Sequence, residues 1–134
     1  MKTKKTIAAL ILPLILLALV ISGCSKNSSI TGPNGNNGQV NFGISQQTGY
    51  YGGTQFLFKP QMDVKISRIV SKLPAQQFAD TISFANPNYV YSKDTTYIIR
   101  EYTGVQNGQQ WNFNFTGAGN NNSNYNVTVN YTAQ

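Results

Sequence analysis

Apolar side chains at every second position run through residues 40 to 134, and that period admits strands with one buried face and little else. The pattern is cleanest near the end of the chain. Trp111, Phe113 and Phe115 alternate with Asn112 and Asn114, and Tyr125, Val127, Val129 and Tyr131 alternate with Asn126, Thr128 and Asn130. Each stretch has one dry and one wet side, so the two are expected to pair antiparallel across the Gly- and Asn-rich segment from Gly117 to Asn124.

Earlier stretches alternate as well: Val40, Phe42 and Ile44; Phe56 and Phe58; Met62, Val64 and Ile66; Phe78, Ile82 and Phe84, with Asp80 interrupting; and Tyr89 with Tyr91. Thr95 to Tyr102 is strand-like in composition, but Ile98 and Ile99 are adjacent, which leaves its inward face ambiguous. Turn formers separate these runs at Gly49, Gly52 and Gly53, at Pro60 and Pro74, at Asn86-Pro87-Asn88, at Ser92-Lys93-Asp94 and at Asn107-Gly108. Leu73 to Phe78 has room for a single helical turn. Short strands at this spacing predict an all-β domain, an antiparallel β-sandwich of about seven or eight strands. In architecture this resembles the immunoglobulin or fibronectin type III class of sandwich, though the chain has a single Cys and so lacks the inter-sheet Cys pair of antibody domains. A domain this small relies on its aromatic residues for much of its core, Trp111 foremost.

Residues 1 to 23 have a different character. A basic start (Lys2, Lys4, Lys5) precedes an apolar run from Ile7 to Ile21, followed by Ser22 and Gly23 before Cys24, which is the anatomy of an export signal. The run is shorter than the ~20 residues of a spanning helix and contains Pro13. Ile21-Ser22-Gly23-Cys24 resembles the lipobox of bacterial lipoproteins: an aliphatic residue, two small residues and Cys. The resemblance implies cleavage between Gly23 and Cys24, a diacylglyceryl thioether on the Cys24 thiol and anchorage in a lipid bilayer. Two or three acyl chains hold firmly, at ~0.8 kcal/mol per buried CH₂. Ser25 stands where Asp marks inner-membrane retention in some lipoproteins, so the expected location is the cell envelope, with the outer membrane favoured. Residues 24 to 39 are rich in Ser, Asn and Gly with Ile30 as the one large apolar side chain, which reads as a flexible tether.

Composition removes several chemistries. The chain has no His and one Cys, so Ser-His or Cys-His nucleophilic catalysis and the common zinc sites are not expected. The only acids are Asp63, Asp80, Asp94 and Glu101, whose spacing suggests neither a glycosidase pair nor a calcium site. Asp94 is read as capping the amides of its turn. No nucleotide-type phosphate loop is present, and no cofactor is implied. The formal charge is +6, but Lys2, Lys4 and Lys5 belong to the export signal. Lys59, Lys65, Arg68, Lys72, Lys93 and Arg100 are scattered among the acids, so nucleic acid is not an expected partner.

Tyr50 and Tyr51, flanked by glycines, are the candidate exposed aromatics and the candidate ligand contacts. The expected role is a non-enzymatic module that meets another envelope protein in adhesion, assembly or as an accessory subunit. The alternative is a carbohydrate-binding lipoprotein that stacks these tyrosines on sugar faces.

Overall fold

A computed structural model of the protein describes residues 39–134 together with the backbone of Ile30–Thr31. The strands are β1 (Ile30–Thr31), β2 (Phe42–Thr48), β3 (Thr54–Pro60), β4 (Val64–Leu73), β5 (Phe78–Ser83), β6 (Val90–Tyr91), β7 (Tyr97–Tyr102), β8 (Gln110–Gly119) and β9 (Asn124–Thr132). The expected single turn between β4 and β5 is a 3₁₀ turn at Pro74–Gln76.

The strands form two antiparallel sheets. The smaller has the order β2-β3-β7, and the larger runs β1-β9-β8-β4-β5, with β6 also on β4. β5 pairs with Arg68 to Leu73 and β6 with Val64 and Lys65, so between them they cover one edge of β4. Setting aside the two short elements, three strands of the smaller sheet face four of the larger one, β9-β8-β4-β5, in a two-sheet antiparallel β-sandwich. The two-residue β1 pairs Ile30 with Val129 and Thr31 with Thr128, and lies inside the segment whose composition reads as a tether.

Burial follows the alternation. Phe42, Phe56 and Phe58 project from the small sheet and Trp111, Phe113 and Phe115 from β8, all buried. Phe42 stacks on Phe115 with centroids 4.0 Å apart, and Phe56 meets Trp111 at 4.9 Å and Phe113 at 5.1 Å. Rings from the two sheets interdigitate, and each such pair adds ~0.5–1.5 kcal/mol beyond the area it buries.

Two regions depart from the sequence reading. The expected loop from Gly117 to Asn124 is shorter, because β8 runs on to Gly119 and β9 begins at Asn124. Gly117 is in strand because a Cβ there would sit 2.0 Å from the carbonyl oxygen of Lys65 and 2.7 Å from the Tyr125 hydroxyl. Here glycine permits close approach of backbone and ring, and does not mark a turn. The second region is Ile98-Ile99, where the pairing slips: Phe56 faces Arg100 but Leu57 faces Ile98. Ile99 is the extra residue of a β-bulge, so it is buried while Ile98 stays 57% exposed.

The open sides of the sandwich are closed by polar contacts. On one, Arg100 of β7 holds Asp80 of β5 at 2.8 Å, and the Tyr102 hydroxyl donates to the same carboxylate at 2.8 Å. On the other, Gln46 of β2 and Gln134 exchange hydrogen bonds of 2.6 and 3.2 Å. The ion pair is half exposed, so its contribution is screened and amounts to ~0–1 kcal/mol. These contacts set how the sheets face each other more than they set stability.

Replacing Trp111, 3% exposed, by Ala is expected to cost ~3–5 kcal/mol of unfolding free energy, read from the midpoint of a denaturant titration. Alkali provides a second check. Burial pushes the hydroxyls of Tyr102 and Tyr125 well above their ordinary value of 10.0, and Tyr125 donates to the Lys65 carbonyl at 2.9 Å. The fold holds the neutral phenols, so their contribution is complete below about pH 10 and is lost as pH rises from there towards the folded-state values. The thermal midpoint should therefore fall above pH ~10, and Tyr125→Phe should flatten that fall.

Candidate functional site

The β2–β3 hairpin ends in a three-residue loop, Tyr50-Tyr51-Gly52. It is closed by the Gly49 amide donating to the Gly53 carbonyl at 2.7 Å. Gly52 takes φ +82°, the left-handed position that such a loop requires and glycine supplies. The chain turns tightly there, and the two side chains at its crest have nowhere to pack. Tyr50 is 90% and Tyr51 86% exposed, with the rings edge to face at 5.1 Å.

The loop is nonetheless held from below. The Glu101 carboxylate, on β7 at the far edge of the small sheet, accepts from the Tyr51 amide at 3.0 and 3.2 Å and from the Gly53 amide at 2.8 Å. An ionised acceptor shared by two backbone donors binds more firmly than a neutral one. It reaches them only because Gly49 has no side chain, since a Cβ there would lie 2.1 Å from the Glu101 Cδ. The result is a pair of tyrosines standing on a braced turn, a rigid apolar corner with two phenol tips.

A shallow groove of about 460 Å³ lies beside the turn. Gln46, Gln47, Thr48, Thr54 and Gln134 line it with amides and hydroxyls, and Val105 adds an apolar wall. Rings next to amide-lined space suit a ligand with flat apolar faces edged by hydrogen-bonding groups, whether a peptide segment or a sugar.

The residues singled out from the sequence meet different fates in the structure. Tyr50 and Tyr51 stand together at the hairpin crest, whereas Gly23 and Cys24, the expected cleavage and lipidation positions, lie outside the described residues. Tyr89 is half exposed at 49%, while Tyr91 is buried. The capping expected of Asp94 is made otherwise: Ser92 Oγ accepts from the Asp94 amide at 3.2 Å, and Asp63 accepts from the Lys93 amide at 2.9 Å. Asp63, at the entrance of the strand β4 with which β6 pairs, is better placed to meet this turn than an Asp within it. Glu101 reads in the sequence as one more surface acid, and no local signal marks it, because its partners are about fifty residues earlier in the chain. Among the described residues no cluster of three His, Cys, Asp or Glu side chains is assembled, and no helix is long and apolar enough to cross a membrane.

Comparison with family models, with curated proteins and with solved structures returns no match. Function is therefore read from the geometry of the site.

Gly49→Ala should expel the Glu101 carboxylate from beneath the turn. The expected outcome is faster hydrogen exchange at the Tyr51 and Gly53 amides with the sandwich core still protected, measured by NMR; unchanged exchange at those two amides would refute the brace.

Proposed function

We propose that the chain is a lipoprotein of the cell envelope, anchored through acylated Cys24, whose β-sandwich is a non-enzymatic interaction module. Its contact point is the Tyr50–Tyr51 crest, which docks on another envelope protein. The observation that carries this reading is the combination at the crest of near-complete exposure with a fixed backbone. Covering two exposed rings removes apolar area from water, and a turn held rigid before binding loses little entropy when a partner covers it. Tyrosine in such a place offers broad contact area at the expense of two rotatable bonds.

Two aspects are separately testable. Metabolic labelling with an alkyne fatty acid should tag the full-length protein in cells, and Cys24→Ala should abolish the tag and release the domain from the membrane fraction. For the crest, a double change of Tyr50 and Tyr51 to Ala should leave unfolding free energy within ~0.5 kcal/mol of the parent, because neither ring is buried. The same change should remove the partner that co-purifies with the parent protein from the native envelope. Loss of stability alongside loss of the partner would show the rings to be structural instead.

A second reading is favoured by the amide-lined groove beside the turn, namely a sugar stacked on one tyrosine and hydrogen-bonded by Gln47. A glycan array probed with the parent and with the Tyr50→Ala, Tyr51→Ala protein separates the two, since only a carbohydrate site loses array signal.

A further inference from the structure

Three of the six basic residues that look scattered in the sequence come together on the outer face of the large sheet. Lys65, Arg68 and Lys72 take outward positions on β4, which is bordered by β8 on one side and by β5 and β6 on the other. Arg68 and Lys72 are exposed, and four residues of extended chain place them about 13 Å apart. The Lys65 ammonium is engaged only by a neutral oxygen, Asn122 Oδ1, at 3.2 Å.

Among the described residues, none of these three cations is ion-paired with a carboxylate. Asp80 is turned to Arg100, Glu101 to the hairpin amides, Asp63 to the Lys93 amide, and Asp94 lies in the turn before β7. These are all the acidic residues in the chain. The row of cations is therefore uncompensated, and its field favours a polyanion.

The ground beside that row is polar and ordered. Thr116 lies opposite Arg68 and Asn112 opposite Lys72, with Asn126 and Asn130 next on β9. Asn112 Nδ2 donates to Asn130 Oδ1 at 2.5 Å, and Asn114 Nδ2 donates to Asn126 Oδ1 at 2.6 Å and to Thr128 Oγ1 at 3.0 Å. These bonds tie the amides to one another on the outward positions of β8 and β9, and each amide keeps hydrogen-bonding capacity beyond the bond it makes there, a grid of donors and acceptors at sheet spacing. At the bulge between Ile66 and Arg68, a groove of about 670 Å³ opens between Lys65, Ser67, Asn126 and Pro87, with Gly117 and Ala118 in its floor.

We infer that this face docks an acidic polysaccharide, its carboxylates meeting Arg68, Lys72 and Lys65 and its hydroxyls meeting the Asn and Thr grid. The outward positions of β4, β8 and β9 carry no aromatic ring, and Tyr125, which lines the groove, is partly buried with its hydroxyl tied to the Lys65 carbonyl, so the face offers no row of rings to stack on bases. They also carry no large apolar wedge of the kind that enters a bilayer interface. Fixed amides beside separated cations match a chain that is rich in hydroxyls and charged at intervals. This surface is distinct from the tyrosine crest, and its test does not depend on that site.

The test uses the full chain in detergent micelles, titrated with oligogalacturonate, with neutral dextran and with phosphatidylglycerol vesicles. Oligogalacturonate should bind, more weakly as salt is raised, while dextran gives no signal. Arg68→Gln with Lys72→Gln should weaken binding by about tenfold or more, because each change removes a charge-assisted contact. Asn112→Asp, which sets a carboxylate beside Lys72 without deleting a cation, should also weaken it. Changing Tyr50 and Tyr51 to Ala should leave it intact. A parent protein that ignores oligogalacturonate, a double variant of unchanged affinity, or tighter binding to the vesicles than to oligogalacturonate would each overturn the proposal.

Discussion

The contact on which the rest of the molecule depends is the aromatic seam between the sheets. Phe42 lies flat on Phe115, and Phe56 is wedged between Trp111 and Phe113, so the strands of one sheet are positioned by rings from the other. The residues from 39 to 134 contain no Cys and cannot rely on a disulfide, and a core this small gains most per side chain from large flat groups. The polar closures at Asp80–Arg100 and Gln46–Gln134 come after that. They align two sheets that the seam has already brought together.

What the sequence makes legible tracks how local the cause is. β8 and β9 can be read directly, because Asn and Thr alternate with aromatic and branched residues over a long span and nothing breaks the period. Gly117 to Gly119 reads as loop because glycine in isolation signals a turn; here its lack of a side chain lets the Tyr125 hydroxyl reach a carbonyl on β4, a contact made sixty residues away. The Ile98-Ile99 doublet is unreadable for a related reason, since a bulge is a property of two strands and only one of them holds the extra residue. The candidate site divides in the same way. The glycines around Tyr50 and Tyr51 mark a displayed pair of rings, whereas the carboxylate beneath them comes from the far strand of the sheet and leaves no trace near the hairpin.

The charge distribution follows one rule. Every acid whose carboxylate has a partner is used inside the fold: Asp63 and Glu101 receive backbone amides, and Asp80 joins two strands. Arg100 is drawn into the same closure, but Lys65, Arg68 and Lys72 are left on the opposite surface. A modest net charge thus still leaves three unpaired cations in a row on one face of the large sheet. The effect is invisible in a linear count because neighbouring residues along a strand alternate between the two faces.

The bracing of the hairpin by β7 has a consequence for when the tyrosines become usable. The hairpin is made early in the chain, but the carboxylate that shapes its crest arrives only after the intervening strands have crossed to the other sheet and returned. A nascent or partly unravelled polypeptide displays the same two rings on a slack loop. A partner that selects the held geometry therefore recognises a hairpin on which β7 has already docked.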